Sequence, residues 1–375
     1  MTGSVNHSVG RRRVFYIPGY DPIHPRRYRE LYRKEGAAQA DISGYELMLS
    51  AKASGGQGRY GWQVRAQMDQ REIQTEFEVL VWSDIVRDSM ERGIPGTYLQ
   101  LIRTAWTYTG SGALFRLMRL RKGPVIAALY PVGFLLVQLG IALLIAWGLG
   151  RALALIHPLA GWAGLIVVPF VLEWFRRKDN KFFAYYLMHD YAYSAQSRGA
   201  NPPELEARMA EFTDEIAQAL QTDVDEVLVV GHSSGAHLGV SILADLIRQG
   251  RLPQDGPVLS FLSLGQVVPM VSFLPEAHRL RADLHFLSAR NDLTWVDVTA
   301  PGDGCAFALC DPVSVSGVAP ADKRWPLVIS AAFTQTLSPA RWKELRWRFF
   351  RLHFQYLCAF DRPGDYDYFQ ITAGP

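Results

Sequence analysis

Cysteine is scarce. The three present, Cys305, Cys310 and Cys358, form no CxxC pair and have no histidine at metal-ligand spacing. An odd, sparse set excludes a disulfide framework and a zinc site, and reads as free thiols in a reducing compartment. A dominant charge is also missing. Thirty-nine basic residues against 36 acidic ones leave a net charge of +3, too little to argue for a nucleic-acid partner. No glycine-rich phosphate loop ending in lysine occurs, so no cofactor is expected. No apolar run follows Arg11-Arg12-Arg13, so no cleaved signal peptide is expected. General disorder is excluded as well, because 49% of the 375 residues are apolar and 20% charged, enough for one large domain or two ordinary ones.

What the chain does contain is a distinctive stretch around residue 233. Glu226-Val227-Leu228-Val229-Val230 is a β-branched apolar run that reads as a buried strand. Gly231-His232-Ser233-Ser234-Gly235 follows, a Gly-x-Ser-x-Gly pentad. Ala236, Val240, Leu243 and Leu246 then recur at helical spacing. A serine between a strand and a helix, on a turn tight enough to need glycine on both sides, has the geometry of a nucleophile elbow. The N-terminus of the following helix favours negative charge near that serine. A chance Gly/Ser turn explains the pentad but not the strand before it and the helix after it.

Upstream, Val14-Phe15-Tyr16-Ile17 reads as a strand ending in the turn-forming Pro18-Gly19-Tyr20-Asp21-Pro22, followed by a basic helix from about His24 to Glu35. Tyr45–Ala51 and Tyr60–Met68 flank Ser54-Gly55-Gly56-Gln57-Gly58 as a β-hairpin, and Phe77–Trp82 is a further strand. Downstream, strands are expected at Val258–Leu264, Leu284–Leu287 and Trp295–Thr299. Helices are expected from about Pro202 to Gln221 and at Arg341–Arg351. Strands alternating with helices predict an α/β fold with a mostly parallel sheet flanked by helices.

One region breaks this pattern. Residues 123–150 and 152–172 carry no charged side chain, and only Arg151 separates them. Each reaches the ~20 residues that cross a ~30 Å hydrocarbon layer. The expected arrangement is a transmembrane helical hairpin over 116–180, with spans of about 124–148 and 152–172 and a turn near Gly148–Arg151. It divides an α/β domain into parts 1–115 and 181–375. Tyr130, Trp147, Trp162 and Trp174 are placed to be interfacial aromatics. Arg116, Arg119, Arg121 and Lys122 precede the hairpin, and Arg176, Arg177, Lys178 and Lys181 follow it. The positive-inside rule then sets both ends, and the α/β domain, on the cytoplasmic side. Two buried helices of a soluble core, or a hairpin dipping into one leaflet, are the alternatives.

A serine hydroxyl needs a base to accept its proton and a carboxylate to orient that base. After an elbow serine the chain order is acid, then histidine. His237, His278 and His285 precede the late acidic candidates, so order selects His353. Asp303 leads among the acids because it follows the strand Trp295–Thr299 through a turn, Ala300-Pro301-Gly302. Asp297, inside that strand, and Asp292, before it, remain alternatives, and each acid also reads as an ordinary turn carboxylate. His232 reads as a residue that shapes the site. No metal cluster is expected.

The Gly231–Gly235 pentad after a strand, Trp295-Val296-Asp297-Val298 running into Asp303, and His353-x-x-Tyr356 together resemble the α/β-hydrolase superfamily, in its lipase- and esterase-like branches. The resemblance rests on short motifs, in the first strand and in residues from about 224 to 360, and does not cover the hairpin. It implies a serine hydrolase that cleaves an ester, lipid-like substrates included, through an acyl-enzyme. Ser233 is the implied nucleophile, His353 the proton shuttle and Asp303 its orienting acid. The backbone N–H groups of Tyr20 and Ser234 are the implied oxyanion donors. The implied partners are the lipid bilayer and a small ester. A scaffold that keeps the fold without the chemistry, and an acyltransferase, are the other readings.

Overall fold

A computed structural model of the protein describes residues 8–52 and 59–375. The Ser54–Gly58 turn expected between two strands lies outside the described residues. The chain forms two compact units. One comprises the chain up to Val86 with Asn201–Phe273 and Ala277–Pro375; the other is Arg87–Ala200 with Leu274–Glu276.

The first unit is α/β. Its strands are β1 (Arg11–Ile17), β2 (Glu46–Ala51), β3 (Gly61–Met68), β4 (Arg71–Val79), β5 (Glu226–His232), β6 (Val258–Leu264), β7 (Thr294–Thr299) and β8 (Leu327–Ser330). They form one mixed sheet in the order β2-β3-β4-β1-β5-β6-β7-β8. The hairpin pairs β2–β3 and β3–β4 are antiparallel. β1 lies parallel to both β4 and β5, and β5–β6, β6–β7 and β7–β8 are parallel as well. The C-terminal ends of β1, β5, β6 and β7 therefore lie along one edge, which is where side chains from distant parts of an α/β chain meet.

Alternate residues of the strands feed a continuous core. Val14, Tyr16, Trp62, Val64, Phe77, Leu228, Val230, Leu262 and Val298 belong to one buried cluster, with Tyr28 and Tyr32 from α1 (Arg26–Ser43). Within it the Trp62 and Phe77 rings stack at 4.9 Å, and Tyr32 leans on Phe77 at 4.7 Å.

The second unit is helical. It contains α2 (Ile94–Gly110), α3 (Ala113–Leu120), α4 (Lys122–Ala154), a 3₁₀ stretch Pro158–Ile166, α5 (Val167–Arg177) and α6 (Ala184–Gln196). α4 runs for 33 residues without a break at Gly148–Arg151, so the chain reverses at 155–157 rather than at the expected turn. Arg151 continues the helix because nothing beside it, neither proline nor a left-handed residue, stops it. The reversal falls where His157-Pro158 forces extended backbone before the next helical stretch.

Small residues hold the two arms together. A methyl group on Gly150 would lie 2.6 Å from the Gly161 carbonyl oxygen, and one on Gly164 would lie 2.7 Å from the Gly150 nitrogen. Such close backbone approach is how apolar helices pack when no hydrophobic driving force separates them from their surroundings. Lys122–Ala154 and Pro158–Arg177 are both long and apolar enough to cross a membrane, with only 22% and 11% of their apolar windows buried. Leu144, Trp147, Trp162 and Phe170 point outward.

This unit is wider than the expected 116–180 because α2 and α6 pack on α4. Leu101, Leu135, Ala184, Tyr185, Met188 and Ala192 form a buried cluster, and the Tyr98 hydroxyl donates to the Leu135 carbonyl at 2.9 Å.

Three further elements depart from expectation. Leu284–Leu287 is not a strand but part of a helix, His278–Ser288, whose buried Leu280, Asp283, Leu284 and Leu287 fall at helical spacing. The last strand, β8, was not expected; its Leu-Val-Ile-Ser is apolar but only four residues long, and these are half-buried or exposed. Arg341–Arg351 is two short helices, Pro339–Leu345 and Phe349–His353, broken at 346–348.

Phe77 tests the core directly. Phe77→Ala removes both ring contacts and should cost about 3–5 kcal/mol, read as a lower apparent melting temperature of the purified protein. A loss under about 1 kcal/mol would place Phe77 outside the core that carries the fold.

Candidate functional site

Ser233 follows β5 directly and precedes α7, which we define as Ser234–Arg248. Its backbone, at φ 56° and ψ −119°, is one a non-glycine residue adopts only under strain, of order 1–3 kcal/mol. Glycine makes the turn possible. At Gly235 a methyl group would overlap the Ile17 carbonyl and lie 2.8 Å from that of Pro18. At Gly231 it would lie 2.8 Å from the Ala236 α-carbon. The turn is tied to the next strand as well, because the Ser233 N–H donates to the Leu264 carbonyl at 2.9 Å.

The loop after β1 lies against this serine. A methyl group at Gly19 would stand 3.0 Å from Ser233 Cβ and 3.4 Å from its Oγ. Two anchors fix the loop. The Trp82 indole N–H donates to the Pro18 carbonyl at 2.9 Å, and the Asp21 carboxylate accepts from the Tyr28 hydroxyl at 2.8 Å and from the Ile23 N–H at 2.9 Å. Tyr20, the next residue, is buried with its ring edge-on to Trp82. Ser234 opens α7, where backbone N–H groups lack intrahelical acceptors. Both proposed oxyanion donors thus belong to segments that border the serine.

His353 and Asp303 meet. His353 Nδ1 lies 2.7 Å from Asp303 Oδ2, and both residues are buried. Asp303 sits in the turn after β7, its N–H donating to the Ala300 carbonyl. Its other oxygen accepts from the Cys305 N–H at 2.8 Å, and the Tyr356 hydroxyl donates to Oδ2 at 3.1 Å. Burial alone would raise this carboxyl. The charge of His353 and these hydrogen bonds outweigh burial and hold it below the usual carboxylate range. Tyr356 also accepts from the Ala300 N–H at 3.0 Å, so one hydroxyl joins the aspartate to the end of β7.

The imidazole borders the elbow through Gly265, the residue after Leu264. A methyl group there would stand 3.1 Å from His353 Cε1 and 2.7 Å from the Tyr356 ring. Among the described residues the Ser233 hydroxyl has no hydrogen bond, to His353 or to any other group.

His232 braces the imidazole. Its Nε2–H donates to the His353 carbonyl at 3.0 Å, and its ring lies 4.9 Å from that of His353 and 5.0 Å from that of Phe354. Burial, and then the charge of His353, push its pKa down to about 3, so it stays neutral and is no base. The roles of Tyr356 and Gly265 are not visible from residue type. The His353-x-x-Tyr356 spacing, one turn apart, is the signal that pointed toward the tyrosine.

The remaining candidates lie elsewhere. Asp297 is fully buried on β7 and accepts from the Ser263 hydroxyl at 2.5 Å; it is Asp303, not Asp297, that reaches the histidine. Asp292 pairs with Arg290 at the surface. His237 is buried in α7, and burial pushes its pKa down to about 4. His285 faces the Val318 carbonyl from a helix rather than a strand. Asp303, Cys305 and His353 offer three donor atoms within 4.8 Å, but a metal there would have to break the imidazole–carboxylate bond.

Asp297 gives a pH prediction. Burial raises its carboxyl from 3.8 to about 7, and its second oxygen has no partner. Between those two values the unfolded chain gives up this proton while the folded one keeps it. Stability is therefore full below pH 4 or so and falls as pH rises toward about 7. Asp297→Asn keeps the Ser263 contact without the charge. It should raise the apparent melting temperature more at pH 8 than at pH 5, by roughly 2–4 °C for each kcal/mol regained. An equal effect at both pH values would refute the buried-acid assignment.

Comparison with protein-family models, curated proteins and solved structures finds no match to this chain.

Proposed function

We propose that the protein is a membrane-anchored serine hydrolase of the α/β-hydrolase type that cleaves esters, lipid-like ones included. The observation that carries this reading is the 2.7 Å bond between His353 Nδ1 and Asp303, made across 50 residues beside a serine on a strained strand-to-helix turn. A carboxylate so placed selects the imidazole tautomer with its proton on Nδ1, leaving Nε2 as the acceptor.

In the proposed reaction Ser233 Oγ attacks the ester carbonyl carbon and His353 Nε2 takes the hydroxyl proton. The carbonyl oxygen becomes an oxyanion held by the N–H groups of Tyr20 and Ser234. Collapse of the tetrahedral intermediate breaks the ester bond, and His353 returns the proton to the leaving alcohol. Water then attacks the acyl-enzyme, giving its proton to His353, and the acid leaves as Ser233 Oγ is reprotonated. With another acceptor in place of water, the same residues carry out acyl transfer.

Both apolar helices are read as crossing the bilayer, with the α/β unit on the cytoplasmic side because basic residues flank both ends of the hairpin. A second reading, a non-catalytic scaffold, is favoured by the unbonded Ser233 hydroxyl.

A fluorophosphonate probe separates the two readings. The purified full-length protein should be labelled, Ser233→Ala should not be, and His353→Ala should react about 10⁴-fold more slowly or worse. Equal labelling of the wild type and Ser233→Ala would leave the scaffold. For the anchor, alkaline carbonate should leave the full-length protein in the membrane pellet, and its release would refute the two crossings.

A further inference from the structure

From residue 92 to residue 172 the chain has no aspartate or glutamate, while Arg92, Arg103, Arg116, Arg119, Arg121, Lys122 and Arg151 all fall within it. Much of this stretch is the apolar hairpin, but α2 and α3 come before it. α2 buries Thr97, Leu101, Thr104 and Tyr108 on one side. On the other side Leu99, Ile102 and Trp106, at positions i, i+3 and i+7, share an exposed face, with Ile102 63% and Trp106 75% accessible. α3 repeats the arrangement, burying Ala113 and Leu117 and exposing Phe115 next to Arg116 and Met118 next to Arg119. Only Arg121, in extended backbone, separates α3 from the start of α4.

We infer that the outer faces of α2 and α3 lie on the surface of an anionic phospholipid leaflet, as an interfacial platform continuous with the hairpin. The inference rests on the hairpin's being in the membrane, and three observations select lipid as the occupant. First, the exposed face is covalently continuous with helices already apolar enough to cross a bilayer. Second, its large side chains include the tryptophan and phenylalanine favoured at the headgroup level, with arginines beside them, which is the composition of a helix lying in the interface plane. Third, three of its basic residues are uncompensated. The far end of the hairpin has Glu173 paired with both Arg176 and Arg177. Among the described residues Arg103, Arg119 and Lys122 have no acidic partner. Basic juxtamembrane side chains such as these three are complementary to anionic headgroups, and their binding depends on headgroup density.

The experiment is hydroxyl-radical footprinting of the intact full-length protein in lipid nanodiscs, read residue by residue by mass spectrometry. The discs contain phosphatidylcholine alone or phosphatidylcholine with phosphatidylglycerol. Met48, 59% exposed on β2 of the other unit, reports full access to water. Trp147 and Trp162 report the hairpin. The expected result is several-fold lower oxidation of Trp106 and Met118 in discs containing phosphatidylglycerol than in phosphatidylcholine alone, with Met48 unchanged. The triple variant Arg103→Glu/Arg119→Glu/Lys122→Glu should lose that difference while Trp147 and Trp162 stay protected.

Trp106 and Met118 as reactive as Met48 in both lipids, with Trp147 and Trp162 protected, would overturn the platform and leave the hairpin standing. Equal protection in both lipids would overturn its dependence on anionic headgroups. Protection that appears only when two copies share a disc would assign the face to a second copy of the chain. Oxidation of Trp147 and Trp162 would remove the hairpin from the bilayer and the platform with it.

Discussion

The α/β unit depends on one close approach, the end of β1 against the start of α7. Gly235 has no side chain, so the first turn of that helix lies against the Ile17 and Pro18 carbonyls. That contact leaves Ser233 no room for relaxed backbone, and its φ of 56° follows. Strain of this kind persists only where the surroundings over-determine it. Here they do, because the Ser233 N–H is bound to the end of β6 and the Gly19 loop lies against its side chain. The same approach brings the ends of β1, β5 and β6 together, so Gly19 and Leu264, far apart in the chain, both border Ser233.

Two buried carboxyls near this edge show how environment assigns roles. Asp297 and Asp303 are six residues apart, and both are removed from water. Asp297 faces one hydroxyl and is pushed up by burial to about 7; Asp303 faces an imidazole, a tyrosine hydroxyl and a backbone N–H and is held low. Desolvation acts on both, and only the partners differ. A carboxylate that stays ionised beside a histidine can orient it and stabilise its charged form, and a neutral one cannot.

Much of this was legible from residue order. The elbow pentad, the strand before it and the helix after it stand where periodicity places them, and the order serine, acid, histidine brought Asp303 and His353 forward before any distance was known. Short apolar runs were less informative. Leu284–Leu287 has the composition of a strand, and only the buried Leu280 and Asp283 before it, a turn away, reveal a helix. β8, Leu-Val-Ile-Ser, is apolar, but four residues are too few for periodicity to tell a strand from a piece of helix. His232 reads as a shaping residue and Tyr356 belongs to the His353-x-x-Tyr356 motif, but the Tyr356–Asp303 bond and the approach of Gly265 to His353 join distant segments, which no local pattern encodes.

The helical unit extends beyond the apolar run for a physical reason. The apolar run alone gives bounds of 116–180 and leaves out α2, whose threonines and glutamine recur at regular spacing. In the structure those polar groups face inward. Thr97, Gln100 and Thr104 are buried, and Gln100 accepts a hydrogen bond from His189 Nδ1–H of α6 at 2.8 Å, while Leu99, Ile102 and Trp106 face out. α4 follows the same rule, burying Gln138 and Ala142 and exposing Leu144 and Trp147. In water this arrangement is unfavourable twice over, since apolar surface stays wet and polar groups are desolvated. In hydrocarbon the first cost is removed, because lipid solvates the leucines, and a polar side chain such as Gln100 finds its partner, His189, inside the bundle. Periodicity sets which residues share a helix face, and the solvent decides which face turns inward. The inverted pattern in α2 as well as α4 therefore argues for a lipid surround wider than the hairpin itself.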